Sequence, residues 1–176
     1  HSTGIEYNPD MVELSKQNAA KAGVTDKATF IKADLFETDF SKATVITLFL
    51  LPDINLKLRP KILDLKPGTR IVSNTFTMGE WKDDETVTVD EAAGCSYYCT
   101  AHLWIVPAKV AGNWHSEQGD LALRQEFQMI QGSMKSGSES HAISNAKLRA
   151  DQISFNAGNA SYSGRVNGNT IEGTVT

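Results

Sequence analysis

Between Gly4 and Phe76 the chain alternates between short apolar runs and helically spaced segments, and this alternation restricts the fold more than any other feature. Gly4-Ile5-Glu6 is a brief apolar run ending in an acid. Asn8 and Pro9 then supply an N-cap and a first-turn proline whose missing N–H costs nothing. Met11, Leu14, Asn18 and Ala22 share one face at helical spacing, and Gly23 ends the pattern, which predicts a helix over residues 9–22. Ala28 to Ala33 reads as a strand running into Asp34-Leu35-Phe36. Thr44 to Leu51 is almost wholly apolar, as suits a parallel strand covered on both faces. Asn55 to Leu65 is helical in pattern, with Pro60 either kinking it or marking its first turn. Pro67-Gly68 turns the chain into a β-branched strand, Thr69 to Phe76. The rhythm predicts an α/β fold: a Rossmann-like parallel sheet joined by right-handed crossovers, with helices on its faces.

In such sheets ligands bind at the carboxyl ends of the strands. Those ends carry Glu6, Asp34, Pro52-Asp53 and Asn74-Thr75-Phe76. An acid ending the second strand accepts hydrogen bonds from two ribose hydroxyls. Asp34 followed by Leu35-Phe36 is placed to take an adenine amino group, with an apolar side chain against the ring. Each acid also has a structural reading, Glu6 at a helix start and Asp34 in a turn. The pair, each ending a strand and separated by one helix and one strand, favours a nucleoside ligand. A nicotinamide enzyme shares Glu6 but leaves Asp34-Leu35-Phe36 unexplained.

Charge narrows the partners. Residues 1–111 carry 12 Lys+Arg against 15 Asp+Glu, and residues 112–176 carry 5 against 6. Neither part has the basic excess that phosphate-backbone binding requires, so no nucleic-acid partner is expected. The longest apolar run, Val45 to Leu51, falls far short of the roughly 18 residues that span a bilayer. The sequence begins at His1 with no charged or apolar leader, so no targeting signal is visible. The compartment stays open, with the cytoplasm as default. Cys95 and Cys99, four residues apart in what reads as an extended segment, would lie roughly 13 Å from each other, too far for a disulfide. No second ligand pair accompanies them, so no metal site is expected.

The stretches Gly4 to Pro9, Asn18 to Val24 and Phe30 to Phe36 together resemble class I S-adenosylmethionine (SAM) methyltransferases from their second strand onward. Ala43 to Pro52, Leu58-Arg59-Pro60 and Leu65 to Arg70 narrow the resemblance to a bacterial subgroup related to the ATP-synthase c-subunit lysine methyltransferases. It covers residues 4 to about 110. It implies that Glu6 holds the SAM ribose and Asp34 the adenine amino group, with Tyr7 and Leu35 flanking the adenine. The family's first strand and glycine-rich loop precede Glu6 and are not in this sequence. The expectation is therefore a truncated methyltransferase carrying half of the SAM site. Leu50-Leu51-Pro52-Asp53 stands where many amino-methylating relatives carry Asn-Pro-Pro-Tyr, which leaves the acceptor, a protein or a small molecule, unidentified. Two side chains are candidates for the acceptor end: Asp53 to orient an amine, and Trp81 to face a cationic substrate. Their structural readings are a helix N-cap and a packing anchor. Residues 77–96, with Lys82 to Glu85 and Asp90-Glu91, read as a solvated loop or lid. His102 is a lone histidine without a partner at readable spacing.

From Gly112 the chain turns Gly-, Ser- and Asn-rich and loses helical periodicity. Leu121 to Ile130, Lys147 to Phe155 and Ala160 to Val166 read as strands. Ser136-Gly137-Ser138 reads as a turn, and Asn167-Gly168 is the clearest hairpin signal. An antiparallel meander of four to six strands follows, barrel-like or added to the main sheet. The organisation expected is an α/β domain over residues 1–111 and a small β extension over 112–176. The alternative to an enzyme is a non-catalytic scaffold whose extension binds partners or self-associates through exposed strand edges.

Overall fold

Asn8 opens the first helix as its sequence requires: its side chain accepts a hydrogen bond from the Asp10 amide at 2.9 Å, and Pro9 sits in the first turn. The computed structural model describes residues 1–90 and 93–176, so Glu91 of the charged stretch lies outside the described residues. It contains two compact units, residues 1–42 and 43–176.

In the first unit β1 (Ser2–Glu6), α1 (Pro9–Lys21) and β2 (Ala28–Lys32) follow one another. The strands pair in parallel, with Gly4 opposite Phe30 and Glu6 opposite Lys32. Gly4 is needed here, because a Cβ would lie 2.5 Å from the Phe30 ring.

The second unit holds two sheets. The smaller contains β3 (Val45–Leu48), β4 (Arg70–Asn74), β5 (Glu85–Thr88) and β6 (Thr100–Ile105) in the order β3-β4-β6-β5. β3 and β4 are parallel, whereas β6 runs antiparallel to both β4 and β5. Among the described residues, parallel pairing is seen for β1–β2 within the first unit and for β3–β4 within the second. Helix α2 (Pro52–Leu63) starts at Pro52, three residues earlier than periodicity suggests, and continues through Pro60 for one further turn. It buries Asn55, Leu58 and Ile62. The Asn55 amide donates to the carbonyls of Phe76 and Thr77 at 3.4 and 3.3 Å, fastening the helix to the segment leaving β4.

The stretch read as a solvated loop is partly buried. Met78 and Trp81 bridge across a tight turn, and both are buried. Trp81 stacks on Phe127 with ring centroids 5.9 Å apart, and its carbonyl accepts from the Trp104 indole at 2.8 Å. Arg59 lies over the other partner of that stack, 5.2 Å from the Phe127 centroid, and donates to the Met78 carbonyl. These contacts join the smaller sheet to the larger.

The larger sheet has seven strands, more than the four to six expected. They are β7 (Gly112–Ser116), β8 (Gly119–Glu126), β9 (Met129–Ser136), β10 (Glu139–Arg149), β11 (Gln152–Ala157), β12 (Ala160–Asn167) and β13 (Thr170–Val175), each antiparallel to the next. The undercount has a physical cause. Ala150 adopts φ 53° and turns β10 into β11 without a glycine or proline to announce it. β10 also carries a bulge between Ser144 and Lys147, with Asn145 at φ 50°. One core lies on this sheet, including Leu121, Leu123, Ile130, Met134, Ile153 and Phe155. Gly164 and Gly173 face each other across β12 and β13. A Cβ on Gly173 would fall 2.1 Å from the Ser163 carbonyl oxygen and 2.7 Å from the Gly164 Cα, so the strands approach this closely only without side chains. Gly173→Val should cost about 1–3 kcal/mol and lower the thermal midpoint. An unchanged midpoint would mean that the two strands separate without penalty.

Candidate active site

Glu6 ends β1, and Asp34 follows β2 by two residues, on adjacent parallel strands. Both carboxylates are exposed and held in the same way. One Glu6 oxygen accepts from the Asn8 amide at 2.8 Å, and one Asp34 oxygen accepts from the Phe36 amide at 2.8 Å. Each side chain is pinned to the backbone two residues on, with its second oxygen carrying no protein hydrogen bond among those of the described residues. Tyr7 projects beside Glu6, 76% exposed, and Leu35 beside Asp34 is half-buried. Two oriented carboxylates flanked by a ring and an aliphatic group suit a ligand with hydroxyl and amino donors around a flat apolar body.

In the second unit the carboxyl ends of β3 and β4 carry an aromatic cluster that sequence reasoning missed. Phe49 follows β3, Phe76 follows β4, and Tyr98 precedes β6. Phe49 and Phe76 are near-parallel with centroids 6.0 Å apart, and Tyr98 meets Phe49 edge-on at 5.1 Å. Phe49 and Tyr98 each remain 58% exposed. Tyr98 reaches this position because Cys95 and Cys99 form a disulfide, which corrects the expectation that they could not. Residues 95–99 are not extended. Tyr98 adopts φ 57°, the chain doubles back, and the two Cα atoms come within 5.8 Å. β6 accordingly starts at Thr100, beyond the disulfide loop.

Asp53 lies in the first turn of α2 but does not cap it; the N-cap is Leu51, with no side-chain bond. Its charge stands near the positive end of the helix dipole. Trp81 is 1% exposed with a face against Phe127, so it is a packing residue and offers no ring to a substrate.

Comparison with known proteins bears directly on this arrangement. A family model described as the ANTKMT methyltransferase domain matches residues 1–85. A protein-lysine N-methyltransferase of Saccharolobus islandicus (strain REY15A) is 41% identical over 106 residues, which are 60% of this chain and 64% of that protein. The ATP-synthase c-subunit lysine N-methyltransferase of Mus musculus is 31% identical over 86 residues, 48% of this chain and 35% of that one. Among solved structures, an RNA methyltransferase from Salinibacter ruber in complex with S-adenosyl-L-homocysteine matches with a TM-score of 0.56 and 42% identity, over 65% of this chain and 71% of that one.

The chain belongs to the SAM-dependent methyltransferases.

It spans less than two thirds of the length of the Saccharolobus and mouse methyltransferases. These relatives differ in the acceptor their names give, protein lysine for two and RNA for the third. Among the described residues no helix is long and apolar enough to cross a membrane.

One polar cluster in the second unit was also not foreseen from the sequence. His102 Nδ1 lies 3.0 Å from the Asp83 carboxylate and 3.2 Å from the Thr86 hydroxyl, which itself donates to Asp83. The histidine has its partner nineteen residues away, brought close by the antiparallel pairing of β5 and β6. Burial works against ionisation of Asp83, but the hydrogen bonds from Thr86 and His102 outweigh it and hold the carboxyl below the usual carboxylate range. The folded state therefore favours the ionised form. That contribution to stability is present at neutral pH and is lost as pH falls below the ordinary carboxylate value and through the depressed one. Asp83→Asn should lower the thermal midpoint at neutral pH, and the difference from the parent should shrink on acidification to about pH 3. A pH-independent difference would assign the loss to packing.

Proposed function

We propose that this chain is the greater part of an enzyme that transfers a methyl group from SAM to a lysine amine of a protein. The observation that carries the reading is the pair Glu6 and Asp34, ending neighbouring parallel strands with one oxygen each left for a ligand. In the proposed site Glu6 accepts from the ribose hydroxyls and Asp34 from the adenine amino group, with Tyr7 and Leu35 on either side of the base. Their fit rests on acceptor-only chemistry meeting donor groups. SAM supplies an electrophilic methyl on sulfur. The amine lone pair forms the new N–C bond as the S–C bond breaks, and the proton of the methylated ammonium passes to solvent. Little acid–base chemistry is asked of the protein, whose contribution is positioning and exclusion of water.

The acceptor end is assigned to the carboxyl ends of β3 and β4. There the exposed rings of Phe49 and Tyr98, beside the half-buried Phe76, give a cationic side chain π-faces to approach, and Asp53 supplies a carboxylate on the first turn of α2. Residues 1–111 form the methyltransferase part of the proposed organisation, of the Rossmann-like class, and residues 112–176 an extension. The lysine reading is supported by the names of two relatives and by the lack of basic excess in the sequence.

The test uses methyl-tritiated SAM with the purified chain and a cell extract, followed by digestion with either protease or ribonuclease. Label released by protease and recovered as methyl-lysine supports the proposal. Label released by ribonuclease would replace the acceptor with RNA, as in the name of the Salinibacter enzyme.

A further inference from the structure

Cys99 is the anchored end of a small covalent ring. Its carbonyl accepts from the Val89 amide at 2.9 Å, and the carbonyl of Thr100 accepts from the Thr75 amide at 2.7 Å. These bonds fasten the start of β6 to the segments leaving β5 and β4. The disulfide then ties Cys95 to Cys99 and closes residues 95–99 into a loop. Inside that loop Tyr98 takes φ 57°, a region that residues other than glycine seldom occupy. Among the hydrogen bonds of the described residues none involves Tyr98. What holds it is the ring closure and the contact of its side chain with Phe49 and Phe76, at centroid distances of 5.1 and 6.3 Å.

A disulfide stabilises a whole fold mainly through the length of chain it encloses. This one joins residues only four apart, so it encloses very little and acts on local geometry. The turn that brings the two Cα atoms within 5.8 Å is the same turn that presents the Tyr98 ring edge-on to Phe49. Both cysteines are half-buried, which leaves the bond within reach of a small reductant.

Taking the carboxyl ends of β3 and β4 as the acceptor end proposed above, we infer that Cys95 and Cys99 are positioning residues for Tyr98, so that affinity for a lysine side chain depends on the redox state of this pair. In the oxidised chain the cation meets Tyr98 beside Phe49 and Phe76. In the reduced chain residues 95–98 leave the turn, Tyr98 relaxes to the negative φ that a tyrosine favours, and its ring withdraws from Phe49. Opening takes two electrons from a dithiol. One of its thiolates attacks a cysteine sulfur, the S–S bond breaks and the other cysteine leaves as thiolate; the second thiol of the reductant then displaces the first cysteine. The reductant ends as a disulfide, and its two protons end on Cys95 and Cys99.

The test titrates Nα-acetyl-lysine methylamide into the full chain and follows the ring protons of Phe49 and Tyr98 by nuclear magnetic resonance, before and after dithiothreitol. The sequence has two cysteines, both in this bond, so the reductant acts there alone. Reduction is expected to remove the cross-peak between the Phe49 and Tyr98 rings and to weaken the probe roughly two- to fivefold, the worth of one exposed cation–π contact. Amide shifts of residues 112–176 stay as they were. Tyr98→Ala should show the weaker affinity already when oxidised and ignore dithiothreitol, whereas Tyr98→Phe keeps both the affinity and its redox dependence. A ring cross-peak that survives reduction would overturn the inference. So would an oxidised chain that does not bind the probe, an affinity indifferent to reduction, or a Tyr98→Ala chain that still responds to it. Movement of the 112–176 amides would also overturn it, by showing that the bond supports the fold at large. The lysine reading is judged separately, by the tritium assay above. Methyl transfer to lysine that ignores dithiothreitol spares that reading and sinks this one; label found on RNA, with probe binding still redox-dependent, does the reverse.

Discussion

Glu6→Ala combined with Asp34→Ala is expected to abolish binding of S-adenosylhomocysteine, and each single substitution to weaken it by roughly 10- to 150-fold. The range follows from hydrogen bonds to a charged acceptor, worth about 1.5–3 kcal/mol each. The substitutions remove little else. Both side chains are exposed, and each makes one hydrogen bond within its own turn, to the Asn8 and Phe36 amides. Helix α1 keeps its own cap through Asn8. Calorimetric titration of the four proteins, with circular dichroism as a control for folding, decides the matter. If the double variant binds as the parent does, the two carboxylates are turn residues and the ligand site lies elsewhere. Glu6→Gln should recover less than half of the lost binding free energy, because it returns an acceptor without its charge.

The largest effect on stability is expected from Trp81→Ala, about 3–5 kcal/mol, by the usual cost of emptying a buried aromatic site. For a chain of this length that corresponds to a fall of about 10 °C in thermal midpoint. The indole fills space between Phe127 and Trp104, with ring centroids 5.9 and 6.2 Å away. Its loss also strips one face of Phe127, whose other neighbour is the Arg59 guanidinium. Urea unfolding followed by Trp114 and Trp104 fluorescence measures the change. Had Trp81 served a substrate, the same substitution would leave the midpoint alone and affect only acceptor binding. The two roles therefore separate cleanly.

Local signals in the sequence located the elements that depend on a few neighbouring residues. Asn8-Pro9 and Gly23 delimited α1, Asn167-Gly168 marked the last hairpin, and the acids at the ends of β1 and β2 fell where the periodicity placed them. What escaped depends on contacts distant in sequence or on unusual backbone. Ala150 and Tyr98 take positive φ without being glycine, which hid one hairpin and the loop that brings Cys95 to Cys99. His102 finds Asp83 only through the β5–β6 ladder. The Phe49–Phe76–Tyr98 cluster combines three segments separated by helix, loop and disulfide. A hint was present, since Phe49 and Phe76 each stand just beyond the end of a strand, where an aromatic side chain is no longer needed to fill a core.

The order of strands in the two sheets of the second unit also bears on how the chain acquires its structure. From β7 to β13 the spatial order is the order of synthesis, so each strand can zip onto the one before it across a short turn. Such contacts demand little loop closure and favour rapid assembly. In the smaller sheet β6 lies between β4 and β5, and neither partner can be satisfied until the chain has gone out and returned. The meander is thus able to form early from a late-made segment, giving Phe127 a settled position against which Trp81 and the slower sheet can close.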